Sequence, residues 1–97
     1  IVTYPGSPLA AEAHLARGRA LAGMGDTRES ARAYLAGFST DPTGPVAPDA
    51  LVQLGIALGA LGQVEQACLT LAEVSVRFPM AAAAEEARSA REALGCT

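Results

Sequence analysis

The stretch APDALVQLGIALGALGQVEQACLTLAEVSVRFP, residues 47–79, decides the fold. Leu51, Leu54 and Leu58 stand three and four residues apart, and Cys68, Leu71 and, further on, Val74 follow at steps of three, so each half reads as a helix with one apolar stripe. Gly62 separates the halves, and Pro79 stops the second. Pro48 is tolerable only in a first turn, where its missing N–H has no intrahelical partner to lose. Residues of about 47–61 and 64–77 are therefore expected to form a helical hairpin, with a stripe that neither helix buries alone.

Working outward, the same unit recurs. Pro5, Pro42 and Pro79 are spaced 37 residues apart, and Gly25 precedes Gly62 by the same 37. Aligned on the prolines, Glu12, Asp49 and Glu86 fall in register, as do Ala13, Ala50 and Ala87. Ser7-Pro8 opens a helix running to about Met24, because the serine oxygen can accept an orphan amide hydrogen bond and proline suits the first helical position. Asp26, with Glu29 three residues on, predicts a capping box for a helix through about Phe38. Residues 41–46, rich in Pro and Gly, connect the units, and a last helix of about 82–94 follows Pro79. The domain organisation expected is one domain with units of about 7–42 and 44–79 and a capping helix of about 82–94. A fixed period of this length marks a repeat array, whose stacked hairpins share their cores and present an extended surface to other proteins.

Composition supports that reading. Hydrophobic residues make up 51% and aromatics only 4%, which suits helices packed closely through alanine. The net charge is −3 and all seven cations are scattered arginines, which argues against nucleic acid as a partner, since phosphate recognition needs a basic stripe. No apolar run approaches the roughly 20 residues of a membrane span, so no membrane insertion is expected. The chain opens at Ile1 without Met, and we read it as part of a longer protein. No P-loop, GxSxG or HExxH motif is present, so no catalytic residue and no enzyme activity are expected. His14 is the only histidine and reads as packing, because a lone imidazole has no arranged acid or nucleophile beside it. Cys68 and Cys96 lack the further ligands of a structural zinc site, so neither a metal nor another cofactor is expected.

The second unit fits the tetratricopeptide pattern W-x2-L-G-x2-Y, A-x3-F, P as Leu51, Leu54-Gly55, Leu58, Ala67, Leu71 and Pro79. The first unit fits more loosely: Gly18, Tyr34 and Pro42 match, while His14, Arg17 and Ser30 depart. The fold expected is all-α, a tetratricopeptide-like right-handed superhelix of two helical hairpins plus a C-terminal capping helix. Gly18 and Gly55 would let paired helices approach closely. The opening YPGSPLAAEAHLARGRAL, the stretch APDALVQLGIALGALGQVEQACLTL and the closing LGC together resemble the C-terminal tetratricopeptide domain of the YbgF/CpoB family, over nearly the whole chain. That resemblance implies a periplasmic, non-enzymatic scaffold of the Tol-Pal system that couples outer-membrane constriction to septal peptidoglycan synthesis. It implies a TolA-like envelope partner, contact with peptidoglycan synthesis machinery, and oligomerisation through an N-terminal coiled coil outside this sequence. The YPxSPxA opening is also similar to lipoproteins of outer-membrane β-barrel assembly, and an accessory module of a larger envelope enzyme is a third possibility.

In tetratricopeptide arrays the first helix of each unit lines the concave face. On that register Glu12, Asp49 and Glu86 form an acidic ladder, and Leu15, Arg19, Val52 and Ile56 face the same groove as candidate partner-binding residues. Each acid also complements the positive end of its helix, which is compatible with binding. Core packing competes for Leu15, Val52 and Ile56. Finally, if the last two helices fold back about Met80, Cys68 and Cys96 meet at one end, offset by about four residues or roughly 6 Å, which Gly95 can absorb, and a disulfide is expected. Arg88, Arg91 and Glu92 replace Leu51, Leu54 and Gly55 of the preceding unit, the polar outer face of an end cap.

Overall fold

A computed structural model describes residues 7–97, and Tyr4 and Pro5, including the first proline of the 37-residue period, lie outside them. Five helices follow in order: α1 (Pro8–Gly23), α2 (Thr27–Thr40), α3 (Ala47–Ala60), α4 (Val64–Arg77) and α5 (Ala82–Leu94). The fold is all-α and tetratricopeptide-like. Helix α2 runs two residues past the expected end at Phe38, and the other boundaries fall within one residue.

The helix ends are built as the residues dictate, with one exception. Ser7 Oγ accepts from the Ala10 amide at 3.1 Å, with Pro8 in the first turn. Asp26 Oδ1 accepts from the Glu29 amide at 3.3 Å. The expected reciprocal half of that capping box does not form. The Asp26 amide is already taken by the Leu21 carbonyl at 2.9 Å, and Glu29 turns instead to Arg32 at 3.3 Å. The same closure ends three helices: Asp26, Gln63 and Cys96 each donate to a carbonyl five residues back. The residue before each is a glycine at positive φ, Gly25 (82°), Gly62 (83°) and Gly95 (74°). A side chain there would be strained, which is why the chain turns at those points.

Helix α3 adjoins both α1 and α5, α2 packs on α1 and α3, and α4 packs on α3 and α5, whereas the backbones of α2 and α4 stay apart. Closer spacing in the odd-numbered layer puts it on the inside of the curve. On the outside, the Arg77 guanidinium bridges the gap to the Phe38 ring at 5.6 Å. The central helix is α3, with neighbours on three sides, and it is buried more widely than the single stripe its leucine spacing predicts: Leu51, Val52, Leu54 and Ala57 all enter the core. Leu71, Val52 and Val74 are among the largest side chains fully removed from solvent, each worth about 1.5–3 kcal/mol.

Two glycines set the hairpin spacing. A Cβ at Gly18 would lie 2.5 Å from the Tyr34 ring, and one at Gly55 would lie 2.6 Å from Leu71. The large residue of each second helix is thus seated against the bare backbone of the first. Helix α5 buries Ala83, Ala84 and Ala87 and turns Glu85, Arg88 and Glu92 outward. Arg91 departs from the expected polar outer face. It is half-buried, with one guanidinium nitrogen donating to the Thr97 carbonyl at 3.2 Å. Cys68 and Cys96 form a disulfide with a Cα–Cα distance of 5.7 Å, so the four-residue offset is absorbed at Gly95 as the spacing predicts.

Candidate functional site

Helices α1, α3 and α5 make up the inner layer. Glu12, Arg19, Asp49 and Glu86 are exposed on these helices. Leu15 and Val52 are not available to a partner. Leu15 is 6% exposed and Val52 0%, and both belong to the hydrophobic core. The physical reason is the sandwiching of α3 and the packing of α1 on α2, which consume these faces. Ile56 sits at the boundary, half-buried and packed against the core with part of its side chain free.

Ile56 lines a notch of about 140 Å³ at the junction of the two hairpins. Tyr34, Ser30 and Thr27 of α2 form one wall, and Gln53, Ala57 and Ala60 of α3 with Ala22 of α1 form the rest. Burial pushes the Tyr34 phenol above its ordinary pKa, with the nearby Arg19 charge opposing the shift, so this lining residue is neutral at physiological pH. Gln53 joins this apolar hollow to the acidic margin: its Nε2 donates to Glu86 Oε2 at 3.1 Å, tying α3 to α5. Among the described residues the ion pairs are Arg32–Glu29, Arg77–Glu73 and Arg88–Glu85, so Asp49 and Glu86 carry charge that no arginine neutralises.

Neither Gln53 nor the notch is among the residues expected from the sequence. The available signal was Gln53 itself, a polar residue set within the apolar run ALVQLGIAL. His14 is half-buried beside Gly37 of α2, in a packing position. A second cleft, of about 510 Å³, lies between α4 and the chain end, beside the disulfide and Leu69. No group of three or more His, Cys, Asp or Glu is arranged to hold a metal ion among the described residues. No helix among them is long and apolar enough to cross a membrane.

Comparison with known proteins identifies a tetratricopeptide repeat over residues 49–79, the segment that contains α3, Gly62 and α4. No curated protein matches the chain, and no solved structure does. A repeat of this type supports a protein-interaction module.

Proposed function

We propose that the chain is a non-enzymatic, periplasmic protein-binding scaffold of the Tol-Pal system, of the YbgF/CpoB kind, which helps coordinate outer-membrane constriction with septal peptidoglycan synthesis during division. The observation that carries the binding role is the tetratricopeptide repeat at 49–79, whose first helix lines a notch at the junction of the hairpins. The 37-residue period and the EQACLTL and LGC segments support the family, and the Cys68–Cys96 disulfide is compatible with an oxidising compartment. In this reading the groove takes a segment of a TolA-like envelope protein. Glu12, Asp49 and Glu86 steer its approach, and Ile56 with the rest of the notch supplies apolar anchorage.

Site-specific photo-crosslinking in dividing cells tests this. A photoreactive residue replacing Gln53 should capture an envelope protein, TolA among those recovered, whereas one replacing Ser75, exposed on α4, should not. Capture from position 75 alone, or from neither position, would remove the groove as the binding surface. Capture at position 53 of proteins unrelated to the Tol-Pal system would remove the family role and leave the groove.

A further inference from the structure

We infer that the groove selects an extended segment with a small aliphatic side chain and, about three residues away, a lysine or arginine. The inference rests on the groove being the binding side and names the chemistry it reads. Two adjoining features carry it. The notch of about 140 Å³ is a space of about five water volumes, walled by Ile56, Ala57, Ala60 and Ala22 and closed by Tyr34. It suits a side chain of valine or proline size and excludes a charge, which would lose its hydration there without a counter-ion.

Next to it stands uncompensated negative charge. Gln53 lines the notch and donates to Glu86 Oε2, leaving the second carboxylate oxygen free of that bond, and Asp49 lies one turn before Gln53 on the same helix. Neither acid is in a salt bridge among the described residues. A cation placed there gains a charge-assisted hydrogen bond without displacing an existing ion pair. The spacing follows from α3. Asp49 and Ile56 are seven positions apart, about 10 Å along the axis at ~1.5 Å per residue, which about three extended residues span at ~3.3 Å each.

The test uses the full chain. Ile1 and Ile56 are its two isoleucines, so methyl labelling of isoleucine gives two signals, and Ile56→Val assigns the one that belongs to the notch. The probes are blocked octapeptides containing Val-Ser-Ser-Arg, in both orders, against versions with Val→Asp, with Arg→Glu, and with Arg moved next to Val. A saturable shift of the Ile56 methyl with the parent peptide is expected, at least fivefold weaker for each altered peptide. Glu86→Gln should abolish the preference for Arg over Glu while leaving the preference for Val over Asp. Equal titrations for all peptides overturn the inference. An unmoved Ile56 also overturns it: if crosslinking from position 53 still captures a partner, the groove reading survives, and if it captures nothing, both fall.

Discussion

Gly18 lies against the Tyr34 side chain so closely that a Cβ at position 18 would come within 2.5 Å of the aromatic ring. Helix propensity alone would favour Gly18→Ala by about 1 kcal/mol, but overpacking against a buried, rigid ring costs about 1–3 kcal/mol and adds displacement of α2. We expect Gly18→Ala to lower Tm by about 5 °C or more. Gly23, near the end of the same helix, meets nothing within 4 Å, so Gly23→Ala should raise Tm slightly. Thermal unfolding of the two variants should therefore move in opposite directions, and a stabilised Gly18→Ala would show that the hairpin is looser than described.

Removing the disulfide should be costly. A cross-link spanning 28 residues restricts the unfolded chain by about 3–4 kcal/mol in the chain-entropy model. The Cys68→Ser, Cys96→Ser double variant, compared with the oxidised parent in urea, should lose stability of that order. Hydrogen exchange should show the loss concentrated in α5. Two free thiols in protein exported natively, read by alkylation and intact mass, would contradict the bond.

Much of this fold was legible in the sequence because the strongest signals were local. Gly62, Pro79 and the leucine spacing each act within a few residues, and the helices they predict are present with nearly the expected ends. The disulfide was legible for a related reason, since two helices of known rise, joined by a short turn, fix which residues meet. Groove assignment was harder. Whether Val52 faces a partner or the core depends on how many neighbours α3 has, and that is set by the stacking of α2, α4 and α5 rather than by any pattern within α3. Gln53 was passed over because its partner, Glu86, is 33 positions away. For the same reason Val52→Asp, which would bury an unpaired charge, reports on folding and not on binding.

Truncation tests the cap. Deleting residues from Ala82 onward, with Cys68→Ser to avoid a free thiol, uncovers the side of α4 that packs on α5 and strips core partners from Leu71 and Val74. Aggregation, or a Tm well below that of the full-length double serine variant, is the expected result. A soluble truncation with unchanged melting would mean that α5 is dispensable to the array.

Alkaline pH should destabilise the protein through Tyr34. Burial raises its folded-state pKa above the ordinary phenol value of about 10, so the folded state holds the phenolic proton longer than the unfolded state does. The contribution is complete below about pH 10 and is lost as pH rises through the folded pKa. Urea titrations at neutral pH and above pH 10 should show a drop in the parent that is reduced in Tyr34→Phe, and equal drops would rule Tyr34 out as the cause.

Charge reversal separates steering from anchorage. Glu12→Lys with Asp49→Lys changes two exposed residues and should slow association with the partner segment and flatten or invert its salt dependence. Ile56→Asp should instead weaken the complex by roughly 2 kcal/mol or more, mainly through faster dissociation. Surface plasmon resonance at two ionic strengths, with circular dichroism confirming that each variant is folded, distinguishes the two. Unchanged kinetics in the folded variants would move the binding surface elsewhere.

The Cys68–Cys96 bond also determines how the chain responds to mechanical load. Tension applied through the two termini reaches Cys96, just past the end of α5, and crosses the sulfur bridge to Cys68 in α4, so the cap cannot be peeled away while the bond is intact. The 28 residue steps between the cysteines are withheld from extension, about 90 Å of contour at ~3.3 Å per residue. Stretching single molecules before and after reduction would read that hidden length directly, because the loop between the cysteines carries no load until the bond is reduced.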